Sequence, residues 1–208
     1  MKPHRIPRWI QRFFPKRIWE GPAENRQVYL TFDDGPVPVI TDFVLEELAK
    51  RNQKATFFMV GDNVRKHHSL AKEVLGAGHR AGNHTFHHLH GLKTPGKVYL
   101  ENVNTCDRIF EDKLGFTPIL FRPPYGILSP WQARQITQKK EIVMWSLLTG
   151  DYDRSIAPHI LLNAAKPMTS PGQIIVFHDQ EKTDGHLQHI LPDYLDFLKD
   201  HGFITALL

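Results

Sequence analysis

From residue 27 onward the chain alternates short apolar runs with longer amphipathic ones, and this alternation constrains the fold more than any other feature. Short apolar runs bounded by turn formers read as buried strands, and apolar residues spaced three and four apart read as helices. Strands are expected at Val28–Asp33, Ala55–Val60, His79–Asn83, Ile119–Arg122, Ile142–Leu147, Gln173–His178 and Phe203–Leu208. Helices are expected between them, near Val39–Arg51, Ser69–Ala77, Gly96–Leu114, Pro130–Lys139, Ile156–Ala165 and Leu187–Asp200. A parallel pair of strands needs a long crossover, so strands alternating with helices imply a parallel sheet covered by helices. Seven strands fit a small, incomplete barrel or an open doubly wound sheet. Thr41 and Pro130 suit helix starts, and Gly78, Gly115 and Gly202 each follow a helical pattern where a left-handed cap is expected.

Composition narrows the function classes. The 208 residues suffice for one domain with a sizeable core, and 41% hydrophobic with 23% charged residues is ordinary for a folded chain. The net charge of +4 is mild and no Lys/Arg run marks a nucleic-acid groove. Cys106 is the sole cysteine, which excludes an intrachain disulfide and a zinc–thiolate centre; a small buried core residue is expected there. No apolar run approaches the ~20 residues of a membrane-spanning helix.

The chain is expected to divide into a basic amphipathic segment, residues 1–26, and a folded domain, residues 27–208. Pro7, Pro15 and the charges interrupt any signal-peptide core. Ile6, Trp9, Ile10, Phe13 and Phe14 nevertheless fall at helical spacing among Arg5, Arg8 and Arg12. Such a segment either packs against the domain or touches a membrane surface through residues 1–20. A cytoplasmic or membrane-peripheral location is the matching expectation.

The chemistry gathers at the ends of the expected strands. The first ends in Asp33 and Asp34, the third runs into His84, His87 and His88, and the fourth ends in Arg122 with Tyr125 beyond. Asp151 follows the fifth and His178 ends the sixth. The carboxyl ends of parallel barrel strands share one face, where active sites sit. Neighbouring residues on an extended chain point to opposite sides, so one aspartate can bind a cation while the other faces a reacting water. Two imidazoles and a carboxylate form a three-ligand set with a position open for water. His84 and His88, four apart, would share a face of a helical turn, but His87 and His90 compete, and spacing does not choose among them.

Together these segments resemble the polysaccharide deacetylase family, the NodB-like carbohydrate esterases. Thr31–Gly35 matches its TFDDG motif, Asn83–His88 its H-[S/T]-x-x-H motif and Arg122–Tyr125 its R-x-P-Y motif. Asp151-Tyr152 stands where the family usually has Asp-Trp, and Val176-Phe177-His178 where it has Leu-x-His. The five motifs appear in order and the likeness spans residues 27–208. It implies an α/β fold, an irregular (β/α) barrel of about seven parallel strands. It also implies a metal-dependent hydrolase that removes acetyl groups from an N-acetylated sugar or polysaccharide. The resemblance assigns Asp34, His84 and His88 to a divalent metal, Zn²⁺ first and Co²⁺ or Ni²⁺ as alternatives. Asp33 becomes the general base, Arg122 its orienting partner, and His178 the general acid with Asp151 raising its pKa. Tyr125 supplies a backbone N–H to the oxyanion, while Tyr152 and Val176 take the positions lining the acetyl pocket. The rival expectation is a metal-dependent amidohydrolase or deformylase acting on a small or differently acylated amide.

Overall fold

The computed structural model describes residues 4–208. The chain runs β1 (His4–Arg5), α1 (Arg8–Arg12), β2 (Arg17–Ile18), β3 (Gln27–Asp33), α2 (Ile40–Lys50), β4 (Thr56–Met59), α3 (Gly61–Lys66), α4 (His68–Gly76) and β5 (Arg80–Asn83). It continues with α5 (Gly96–Leu114), β6 (Leu120–Phe121), α6 (Pro130–Ile136), β7 (Glu141–Val143), β8 (Leu147–Leu148), α7 (Pro158–Ala165), β9 (Ile174–His178), α8 (Leu187–Asp200) and β10 (Ile204–Thr205). The strands form one sheet in the order β1-β8-β9-β3-β4-β5-β6-β7-β2, with β10 added beside the start of β3. Every pairing within β8-β9-β3-β4-β5-β6-β7 is parallel.

The stretch expected as one strand over Ile142–Leu147 is divided. Its first part, β7, pairs with β6; beyond Met144–Ser146 the chain pairs as β8 with β9 at the other end of the sheet. Both ends of the sheet therefore belong to one run of chain, and the sheet curls into an irregular barrel. Each half of that run has one edge outside the main sheet, and an unpaired edge leaves backbone groups unsatisfied. The N-terminal segment fills both edges: β1 lies antiparallel on β8, and β2 lies parallel on β7. Strands at the N-terminus were not expected from the sequence, because two residues carry no readable period. At the other end, only Ile204–Thr205 of the expected strand Phe203–Leu208 pairs in the sheet.

Strand alternation sorts the core into two layers. Val28, Leu30, Phe32, Phe57, Ile175 and Phe177 pack outward against Val44, Leu48, Leu191, Leu195 and Leu198 of α2 and α8. Tyr29, Phe58, Leu120, Val143 and Ile174 form a separate cluster inside the curl. Strands buried on both sides need continuous apolar runs, and β3, with six of seven residues buried, has one. The interior is tight: a Cβ on Gly82 would stand 2.7 Å from the Phe58 ring. Cys106 is buried on α5 within the outer layer.

Helix ends follow the local chemistry with one adjustment. Ser129 caps α6, accepting from the Gln132 N–H at 3.2 Å, and Pro130 takes the first turn. Gly78, Gly115 and Gly202 all have positive φ. Thr41 lies inside the first turn of α2 and does not cap it; its hydroxyl accepts from the Val37 N–H and turns towards the end of β9.

Candidate active site

Asp33 closes β3 on the inner face of the barrel, two residues beyond Thr31. Arg122, just after β6, extends its fully buried side chain through the interior to meet both. Its Nη1 donates to Thr31 Oγ1 and to Asp33 Oδ1, each at 2.7 Å, and its Nη2 donates to the Met144 carbonyl at 2.8 Å. The guanidinium also stacks 4.1 Å from the Phe58 ring centroid. A buried charge is tolerated when it is paired and hydrogen-bonded, and this pair is both.

Asp34 departs from the extended geometry expected of it. Its φ of 82° turns the chain sharply, and both aspartates face one pocket instead of opposite sides of a strand. The turn is tied down from the end of β9. Asp179, 1% exposed, accepts the Gly35 N–H on Oδ1 at 3.1 Å and the Thr41 hydroxyl on Oδ2 at 2.6 Å. Gly35 must be glycine here, since a Cβ would lie 2.0 Å from Asp179 Oδ2. Burial, with the Asp34 charge behind it, lifts the Asp179 carboxyl to about 8 against the hydrogen bonds from Thr41 and Gly35.

His84 and His88 lie on a loop, not on a helical turn. Thr85 and His88 have φ of 64° and 53°, and these left-handed residues fold the loop back on itself. Side chains of α5 and β5 hold it: Asn102 Oδ1 of α5 accepts from the N–H groups of Phe86 and His87, and Asn83 Oδ1 at the end of β5 accepts from the Thr85 N–H. Asn83 is anchored in turn on Asp107, which pairs with Lys140 at 2.7 Å. His87 Nδ1 meets the Asn102 amide at 3.0 Å, so that ring serves the loop. His84 Nε2 and His88 Nε2 instead approach Asp34 Oδ1 at 3.4 and 3.0 Å. Of the histidines that spacing left open, His84 and His88 are the two whose Nε2 atoms approach Asp34.

One nitrogen, one nitrogen and one carboxylate oxygen of these three residues lie within 4.8 Å of one another. Asp34 Oδ1 is buried without a hydrogen bond of proper geometry, although two imidazole nitrogens adjoin it. His84 Nδ1 sits 2.7 Å from the Arg122 carbonyl, which fixes its proton there and leaves Nε2 with a lone pair. An orphaned buried oxygen facing imidazole lone pairs is the donor set of a divalent cation, so these residues fit a metal.

His178 and Asp151 face this cluster from β9 and the loop after β8. His178 Nδ1 lies 2.9 Å from Asp151 Oδ1, and the His178 backbone N–H donates to Asp151 Oδ2 at 2.7 Å. Burial pulls the imidazole pKa down, but the Asp151 charge and hydrogen bond, with Asp34 and Asp33 adding, raise it to about 9. Tyr152 packs edge-on against His178 and Tyr125 against His88. Eight of the ten residues singled out in the sequence line one pocket of about 780 Å³: Asp33, Asp34, His84, His88, Tyr125, Tyr152, Val176 and His178. Arg122 and Asp151 stand behind them, on Asp33 and His178.

Sequence reasoning missed several residues of this site. Asp179 carries no signal beyond adjacency to His178, Thr41 reads only as a helix start, and Asn102 and Asp107 look like ordinary polar residues on a helix. Trp145 and His4 also line the pocket, His4 because β1 reaches its wall.

Comparison with known proteins agrees with this geometry. The family model for polysaccharide deacetylase matches residues 20–145. A peptidoglycan-N-acetylglucosamine deacetylase of Bacillus cereus is 34% identical over 196 residues, covering 89% of this chain and 87% of the relative. A second protein of that name from the same organism is 32% identical over 181 residues, covering 86% of this chain and 64% of the relative's length. A chitooligosaccharide deacetylase of Azorhizobium caulinodans is 33% identical over 157 residues, 73% of each chain. Among solved structures, the Bc1960 peptidoglycan N-acetylglucosamine deacetylase superposes with a TM-score of 0.85 at 32% identity, covering 95% of this chain and 94% of that one. The chain belongs to the polysaccharide deacetylase family.

Proposed function

We propose that the protein hydrolyses the N-acetyl amide of an N-acetylated glycan. The observation that carries this reading is the convergence, in one pocket, of the Asp33–Arg122 pair, the Asp34–His84–His88 cluster and the Asp151–His178 pair. Asp34, His84 and His88 would hold a divalent cation, Zn²⁺ first and Co²⁺ or Ni²⁺ as alternatives, which when bound polarises the amide carbonyl and favours ionisation of water.

The remaining chemistry belongs to the side chains. Asp33 takes the proton of the attacking water; Arg122 occupies Oδ1 and fixes the carboxylate plane. His178, held with its Nδ1 on Asp151, carries a proton at neutral pH and gives it from Nε2 to the departing sugar nitrogen. The turn at Tyr125, whose φ is 60°, offers its N–H to the developing oxyanion. Tyr152 and Val176 wall the pocket where the acetyl methyl would rest. For its place of action, the reading is a cytoplasmic or membrane-peripheral protein. Among the described residues no helix is long and apolar enough to cross a bilayer, and the basic aromatic N-terminal segment supplies the membrane-peripheral half of that reading.

The test is acetate release from N-acetylglucosamine oligomers by metal-stripped protein, by protein restored with Zn²⁺ or Co²⁺, and by Asp33→Asn. Release that needs the metal and is lost in Asp33→Asn is expected. Tight metal binding with no release from any oligomer would move the substrate to another amide; formyl turnover faster than acetyl would make the protein a deformylase.

A further inference from the structure

The N-terminal segment closes the barrel edges with β1 and β2, and the turn between them, held by the Trp19 indole on the Phe14 carbonyl, leaves aromatic rings exposed. None of the residues of α1 is buried. Trp9 is 62% and Phe13 73% exposed, one helical turn apart, with their rings edge to face at 6.2 Å. Phe14, 42% exposed, lies beneath the Arg17 guanidinium at 4.3 Å. Single exposed aromatics are ordinary, but three adjoining ones mark an interaction surface.

The charge around these rings has one sign. Lys2, Arg5, Arg8, Arg12, Lys16 and Arg17 all precede Glu20, which is the first acidic residue of the chain. Among the described residues Arg8, Arg12, Lys16 and Arg17 enter no ion pair. Between α1 and β2 lies a crevice of about 440 Å³ lined by Arg8, Gln11, Arg12, Arg17, Trp19 and Glu20. Arg17 there is partly withdrawn from water, and burial lowers its pKa. A partly buried Arg17 guanidinium stacked on Phe14, beside the exposed Arg8 and Arg12 and the exposed Trp9 and Phe13 rings, matches the headgroup layer of a membrane. There aromatic rings rest at the boundary and anionic lipids attract basic side chains.

We propose that this segment docks the protein onto an anionic phospholipid bilayer. Trp9 and Phe13 enter the headgroup region, and the Arg8–Arg12–Arg17 crevice takes a lipid phosphate. The position of β1 gives the contact a consequence for the site. His4 lines the candidate active pocket and stands five positions before Trp9, a span of at most ~18 Å of extended chain. Docking therefore holds the pocket close to the lipid surface and favours glycans that lie against a membrane. This last clause rests on the reading of the pocket as a glycan site; the docking itself does not.

The full chain is sedimented with vesicles of phosphatidylcholine alone and of phosphatidylcholine mixed with phosphatidylglycerol. Binding to the mixed vesicles, roughly tenfold or more above that to phosphatidylcholine and weakened by salt, is expected. The double variant Trp9→Ser/Phe13→Ser should lose most of it, and Arg8→Gln/Arg12→Gln about fivefold for each arginine removed. Unchanged thermal melting and unchanged acetate release from a soluble oligomer certify that the variants are folded. Equal binding to both vesicle types, or no binding, overturns the proposal. So does full retention in Trp9→Ser/Phe13→Ser, which would show that the rings take no part in the contact. Vesicle binding without acetate release would leave the docking intact and remove the deacetylase reading.

Discussion

Asp151→Asn isolates the electrostatic part of the mechanism. Asp151 is fully buried, accepts the His178 backbone N–H and holds His178 Nδ1 at 2.9 Å. Asparagine fills the same space without the charge, and its single oxygen can accept from only one of the two His178 donors. Burial pulls the imidazole down and Asp151 leads the opposing causes that lift it to about 9. Without the charge, His178 should fall to its ordinary ~6.5 or lower. At pH 8 the protonated fraction then drops from about nine-tenths to about one in thirty, an approximately 30-fold loss of the acid form. The assay is the pH profile of kcat/KM for acetate release from a soluble N-acetylglucosamine oligomer. The alkaline limb should move acidward in the variant relative to the parent, with activity partly recovered below pH 6.5. An alkaline limb that stays in place would refute the assignment of that limb to His178 and the role of Asp151 in setting it.

Other consequences follow from the same contacts. Because the folded pKa of His178 is raised, its stabilisation is fully present below about 6.5 and is lost as pH rises through about 9; it amounts to about 3 kcal/mol. Thermal melting of metal-free protein should fall across that window, and Asp151→Asn should flatten the slope. Arg122→Met would leave the Asp33 carboxylate buried without its partner and should cost about 3–5 kcal/mol in urea unfolding; a cost under about 1 kcal/mol would mean the pair is not the buried link described. Asp179→Ala removes both hydrogen bonds that tie the Asp34 turn, and should weaken Zn²⁺ binding about 10- to 100-fold by calorimetry, whereas Asp179→Asn should keep most of it. Equal affinity in the parent and Asp179→Ala would show that the turn holds itself.

The long apolar runs were legible because burial on both faces leaves a mark in composition. β3 and β9 pair in register over five residues, and both were readable from the sequence. Elements of two residues were not. β1 and β2 are too short to show a period, and what fixes them is the edge they fill, which exists only once β7 and β8 part. That parting was hidden too, since Ile142 to Leu147 is one apolar run on either path. The reactive residues stood out by chemistry at strand ends, and eight of them reach one pocket. The backbone that brings them there did not. Positive φ at Asp34, Thr85 and His88 replaces the extended strand and helical turn that spacing suggested, and none of these residues is glycine. Such conformations persist where surrounding contacts over-determine them. Asp179 and Asn102 supply those contacts from elements remote in sequence, which no local pattern encodes.

The most direct test sets His87→Ala beside His88→Ala and the parent in zinc-dependent acetate release from an N-acetylglucosamine oligomer. The two histidines are neighbours, yet one ring serves Asn102 and the other faces Asp34. His88→Ala should lose both bound zinc and acetate release, while His87→Ala keeps its zinc and most of its rate. Equal loss in the two variants, or full activity in His88→Ala, would contradict the Asp34–His84–His88 site on which the proposed hydrolysis rests.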